Sequence, residues 1–138
     1  MALDPSTLAA HTTLGEAYVM LERWQDAIDI LGAAQRIWPR FALTTGMLAG
    51  ALHRAGQASR AKELIRGLGS SPGPPTGVTL YHVISGDLDA AADWYTRSVE
   101  LRDPFALVFA NGPMAHALWQ TPRWPRIAAM MNMPPKVV

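Results

Sequence analysis

A block of sequence returns at a spacing of about 34 residues. Leu14, Gly15 and Tyr18 are followed by Ala27, Leu31 and Pro39. One period later stand Leu48, Ala49 and Leu52, then Ala61 and Ile65. Only His11, answered by Thr45, departs from small or apolar types. One period before Pro39 stands Pro5. A shortened third copy follows: the turn from Gly56 to Ala61 reappears as Gly86 to Ala91, about 30 residues on, with Tyr95 behind it. The missing helical turn falls in the Gly- and Pro-rich stretch between Gly67 and Gly77, which breaks any helix. A period of this size means one supersecondary unit copied along the chain, and such a unit cannot bury its apolar face alone.

Each unit reads as two helices. Leu14, Tyr18 and Leu21 keep helical spacing, as do Ala27, Ile28, Leu31 and Ala34, with a turn from Leu21 to Asp26 between them. Asp87 is a natural N-cap for a helix from Leu88 to Leu101, and Arg97 and Arg102 suit that helix's C-terminal dipole. Pro39 and Pro104 end second helices. Gly15 and Ala27 are expected to face each other where a pair crosses, as are Ala49 and Ala61, with Leu14, Tyr18 and Leu31 filling around the first crossing. Overpacking there by Ala27→Leu should cost about 1–3 kcal/mol, whereas Arg36→Ala should cost little.

The spacing of Leu14-Gly15 to Tyr18, then Ala27, then Pro39 resembles the tetratricopeptide repeat, with His11 and Leu31 as departures that its degenerate motif tolerates. The resemblance covers residues 6 to about 103 and is most specific in the first copy. The tail, with Arg102-Asp103-Pro104-Phe105 and Thr121-Pro122-Arg123-Trp124, is similar to the helical cap closing such regions in bacterial winged-helix activators, adenylate cyclases and serine/threonine kinases. The resemblance implies an all-α fold: a right-handed superhelix of antiparallel helix pairs with a C-terminal helical cap. Within one domain spanning the chain, repeat one covers about 8–41, repeat two about 42–71, repeat three about 75–103 and the cap about 104–134. Ala2 to Pro5 looks like the end of a preceding repeat, so this stretch is expected to belong to a longer chain.

Family geometry puts Ala9, Thr12, Glu16 and Val19 of unit one, and Leu43, Gly46, Gly50 and His53 of unit two, on a concave surface. That surface is either a groove for a protein or peptide partner, or is filled by the chain's own tail, Met130 to Met133 included. The family's clamp for an acidic C-terminus needs Lys and Asn on that face, which offers neither.

Other chemistry finds little support. The chain has no cysteine, which removes disulfides, thiolate nucleophiles and Cys-ligated zinc. His11, His53, His82 and His116 lack metal-ligand spacing, so no metal or other cofactor is expected. Asp87 and Asp89 begin like a calcium loop but lack its later ligands. Gly67 and Gly69 are not followed by a phosphate-binding Lys, and no serine-hydrolase elbow occurs. Lys62 and Lys136 are the only lysines. A net charge of +1 with scattered arginines argues against a nucleic-acid partner. No apolar run spans a bilayer and Met1 to Ser6 lack a secretory pattern, so a cytoplasmic protein is expected.

Met130, Met131 and Met133 suit core packing more than an adaptable docking patch, and Trp119 stands out as a candidate exposed anchor. Charged residues make up 17% of the chain, against about 25% in ordinary domains, which points to a covered face. The expected role is a non-catalytic scaffold, with a protein partner or other domains of the same chain, in a larger bacterial signalling or transcription protein. Two alternatives are a self-associating homo-oligomeric scaffold and, with less support, a small helical ligand carrier or enzyme.

Overall fold

The computed structural model describes residues 5–69 and 75–134; the readings of residues 1–4, of the break's centre at 70–74 and of Lys136 lie outside them. The described residues are helical, without strands. Six longer helices come first: α1 (Pro5–Met20), α2 (Trp24–Ile37), α3 (Ala42–Arg54), α4 (Ala58–Gly69), α5 (Pro75–Ser85) and α6 (Leu88–Glu100). Short elements follow: α7 (Ala106–Ala110), a 3-10 turn (Pro113–Ala115), α8 (His116–Trp119) and α9 (Trp124–Met130).

Helices α1 and α2, α3 and α4, and α5 and α6 form consecutive pairs, and each pair packs on the next. The turn inside each pair is built alike. Glu22, Gly56 and Gly86 take positive φ of 57°, 88° and 94°. In each copy the next amide reaches back across the helix end: Arg23 N to Tyr18 O (2.9 Å), Gln57 N to Leu52 O (2.8 Å), Asp87 N to His82 O (3.0 Å). These bonds satisfy carbonyls that the helix end leaves open. The following helix then begins with Ala27, Ala61 and Ala91 donating to Arg23, Gln57 and Asp87. All three alanines are fully buried. The copies at Gly56 and Gly86 therefore share register with the first turn, residue for residue. Asp87 also caps α6, accepting from Ala90 N at 3.0 Å.

At the crossing in the first pair, Leu31 packs directly on Gly15. A Cβ on Gly15 would stand 2.6 Å from Leu31 Cγ, so Leu31 fills the space against Gly15. Helical side chains lean toward their own N-terminus, so Leu31 reaches back over the ground that the spacing gives to Ala27. Leu14 is 43% exposed, although its register partners Leu48 and Val78 are 2% and 3% exposed. Those two pack under a preceding pair; no preceding pair among the described residues covers Leu14.

First and second helices carry different chemistry. Among the described side chains of α1 and α5 the one fixed charge is Glu16, and α3 carries only Arg54 at its end. Helices α2, α4 and α6 carry several charges each and face outward. Accordingly α3 is buried almost from end to end. A helix uncharged all round is built to be covered all round.

The C-terminal elements close over α5 and α6. Tyr95 is the anchor: its hydroxyl donates to Ala106 O at 2.5 Å, and its ring stacks on fully buried Trp124 at 5.9 Å between centroids. Asp103 is a second anchor. Its buried carboxylate accepts from Thr76 Oγ1 (2.6 Å), Thr76 N (3.2 Å), Ser98 Oγ (3.1 Å) and Phe105 N (3.0 Å), and Thr76 and Ser98 hydroxyls also bond each other. One carboxylate thus ties the start of α5, the end of α6 and the start of the tail, and its charge suits the N-terminal end of α5. Burial first, and the nearby Asp103 charge second, push the Tyr95 phenol well above its usual range. Met131 and Met133 pack against the core, whereas Met130 is exposed.

Candidate functional site

An apolar pocket of about 140 Å³ lies where α1, α3 and α5 meet the tail. Thr12 and Glu16 come from α1, Leu43 and Met47 from α3, Thr76 and Leu80 from α5. The roof is Phe105, Val108, Phe109, Pro113 and Met114.

Why a pocket survives here follows from the register. Thr12 and Glu16 occupy the positions that Gly46 and Gly50 occupy in α3. Gly46 and Gly77 let α3 meet α5 backbone to backbone, and Gly50 admits the Ile84 side chain: a Cβ on Gly46 would stand 2.7 Å from Gly77 C, one on Gly77 2.8 Å from Ala42 C, and one on Gly50 2.6 Å from Ile84 Cβ. Side chains at Thr12 and Glu16 hold α1 off α3. The hydroxyls of Thr12 and Thr44 bridge the two helices at 3.4 Å, and Thr12 also donates to Leu8 O at 2.8 Å.

Of the eight residues expected on a concave face, Thr12, Glu16 and Leu43 line this pocket. Gly46 and Gly50 are consumed by the α3–α5 contact and are not open to a ligand. Val19 is buried in the core and Ala9 is exposed, outside the lining. His53 is half-buried, edge-on to Tyr81 at 6.3 Å, and its Nδ1 has no hydrogen-bond partner among the described residues. The part of the chain covering the surface is 105–114 rather than Met130 to Met133. Its signal was the apolar run from Phe105 to Phe109 directly after the Asp103 anchor.

Glu16 is the pocket's one titratable group, and burial raises its carboxyl pKa above the usual value. An apolar ligand with a positive group at this edge would restore the ionised form. A cavity near 150 Å³ accepts a benzene-sized group, so one aliphatic or aromatic side chain suits the space.

The remaining candidates are structural. His11 bonds Thr7 O at 2.8 Å and packs edge-on to Trp38. Burial lowers the His82 pKa, and Asp87 partly opposes this. Arg54 lies over the Trp24 ring at 4.9 Å, joining units one and two. Trp119 is half-buried against His116, 4.2 Å between rings, and is not a protruding anchor. No cluster of three or more metal-ligating side chains occurs among the described residues, nor a helix long and apolar enough to cross a membrane.

Comparison with family models, with curated proteins and with solved structures finds no match. The all-helical architecture is therefore the class that the chain's own geometry defines.

Proposed function

We propose that this chain is an interaction domain of the tetratricopeptide type: a right-handed array of three helix pairs with a helical cap, without catalytic chemistry of its own. Its setting is the regulatory part of a larger bacterial signalling or transcription protein, and its ligand is a protein or peptide segment. The observation that carries this reading is the shared register of the three pairs, which puts α1, α3 and α5 on one side with a pocket among them. The pocket favours an apolar side chain flanked by Lys or Arg, because Glu16 is the only charge at its edge. A lone carboxylate also argues for recognition over acid–base catalysis, which needs convergent titratable groups.

Peptide display against the immobilised domain tests this. Sequences with an apolar residue beside a basic one should be enriched. Leu43→Arg and Glu16→Lys should each weaken their binding by about tenfold or more, and the exposed Leu107→Asp should leave it unchanged. Failure to enrich such sequences, or equal binding by Leu43→Arg, overturns the reading.

A further inference from the structure

A second cleft lies on the outer side of the molecule, between α2 and the start of α4, with a volume of about 480 Å³. Buried Ile28 and Gly32 form its floor. Its walls are polar: Gln25, Asp29 and Arg36 from α2, Gln57 from the turn before α4, and Arg60 from the first turn of α4. The α2 residues recur at helical spacing, so the cleft follows that helix for about 16 Å from Gln25 to Arg36. Gly32 shapes it: a Cβ there would stand 3.6 Å from Arg36 Nη1, so the guanidinium lies back over the bare backbone of that turn. Elsewhere Arg23 pairs with Asp26 at 2.7 Å, Arg54 donates to Ile84 O and lies over Trp24, and Arg123 pairs with Asp93 at 2.6 Å. Arg36 and Arg60 have no hydrogen-bond, ion-pair or ring partner among the described residues, and Glu63, one turn along α4, does not pair with Arg60. Asp29 is the one carboxylate of the lining, and it accepts from Gln25 Nε2 at 2.9 Å. Two uncommitted guanidinia against one hydrogen-bonded carboxylate leave the cleft net positive.

The chemistry and length of the cleft together select its occupant. A guanidinium fork matches a carboxylate, and the carboxamides of Gln25 and Gln57 both donate and accept, as a peptide backbone requires. No aromatic ring stands in the lining to stack a nucleobase. A lone inorganic anion would fill only one corner, whereas about five extended residues span the distance from Gln25 to Arg36. The geometry points to a docking site for an acidic peptide segment, lying extended along α2 with an Asp or Glu side chain held by Arg36 and Arg60. Asp29 gives the site a direction, because it opposes a further acidic residue at its own turn of the helix. The cleft shares no lining residue with the pocket under the tail, so this proposal and the peptide-binding reading of that pocket can fail separately.

A random peptide library displayed against the immobilised chain, counter-selected on the Arg36→Gln/Arg60→Gln double variant, tests this. Sequences that bind the parent and not the variant should be enriched in Asp or Glu. A labelled synthetic peptide of an enriched sequence should bind about fivefold or more weakly to Arg36→Gln and to Arg60→Gln. Arg36→Lys, which keeps the charge and loses the planar fork, should also weaken it. Arg66→Gln removes the same charge from α4 outside the cleft and should leave binding unchanged. Asp29→Asn should tighten binding of a peptide that is acidic along its whole length. Arg36, Arg60, Arg66 and Asp29 are all exposed, so each variant should melt like the parent. An enriched pool without acidic residues, equal weakening by Arg66→Gln, or binding of inorganic phosphate at this cleft with no peptide selected each overturns the proposal.

Discussion

Two junctions join the first helices of this chain, and they are opposites built on one register. Between α3 and α5, Gly46 and Gly77 bring the two backbones into contact, and Gly50 makes room for the Ile84 side chain. Between α1 and α3, Thr12 and Glu16 stand at the corresponding positions, and the helices stay apart over a pocket. The helix-pair module is thus indifferent to this position, while the spacing of its first helices is decided by it. A tight junction gives rigidity, and a loose one leaves a place for a ligand.

The largest effect should come from making the tight junction resemble the loose one. Gly50→Glu drives a long side chain into Ile84, one turn from Arg54, whose guanidinium donates to Ile84 O at 3.3 Å. Overpacking costs about 1–3 kcal/mol, and taking a carboxylate out of water adds to it even beside a cation. The variant should fail to melt cooperatively, and a normal melting curve would break the comparison. Gly46→Ala is gentler but meets the backbone of Gly77, which cannot step aside. It should cost more than Gly15→Ala, whose added methyl meets the Leu31 side chain rather than a backbone.

Truncating register partners should cost less than disrupting the tight junction, and unequally. Leu48→Ala should cost about 2–5 kcal/mol because Leu48 is enclosed, and Leu14→Ala well under half of that because Leu14 is largely open. For a chain of this size each kcal/mol moves the melting point by about 4 °C, so the two are easily separated. Equal losses would mean that Leu14 is covered in solution.

The sequence made the pairs legible because a turn closed by Gly56 and Gly86, then a buried Ala, is a local pattern with a fixed offset. The first such turn was read between Leu21 and Asp26 but not its left-handed residue, since the Glu22 side chain gives no hint of positive φ. The concave-face residues were read less well. Gly46 and Gly50 look equally suited to approach by a ligand or by a neighbouring helix, and sequence alone does not say which backbone arrives. The uncharged length of α3 was the available clue, because a helix without a charged side is packed against neighbours nearly all round. The roof at 105–114 and the clasp at Asp103 depend on contacts with distant Thr76 and Ser98, which no local spacing reveals. That a groove would meet the chain's own tail was foreseeable; which part of the tail was not.

Turn chemistry offers a smaller contrast. Gly56→Ala forces a side chain into left-handed backbone and should cost about 1 kcal/mol. Glu22→Gly relieves the same conformation in the first pair. The exposed Glu22–Arg54 ion pair at 3.7 Å is long and worth little, so a gain of about 0.5 kcal/mol should survive its loss. Opposite signs for the two variants in thermal melts would establish that the turns are equivalent.

The smallest effect belongs to the loose junction itself, and its sign follows from burial. The Glu16 pKa is raised in the folded chain, so folding favours the protonated form. Its contribution to stability is present below the pKa of the unfolded chain and is lost as pH rises through the folded value. Glu16→Gln carries no such titration. The melting temperature of the parent minus that of Glu16→Gln should therefore fall as pH is raised from below the ordinary carboxylate range toward neutrality, then level off. Comparing the two proteins at each pH cancels His82, whose lowered pKa acts at higher pH in both. A cationic peptide in the pocket should reverse the trend, since it stabilises the ionised carboxylate. A difference that stays flat with pH would place Glu16 in open solvent and remove the electrostatic basis for basic-flanked ligands.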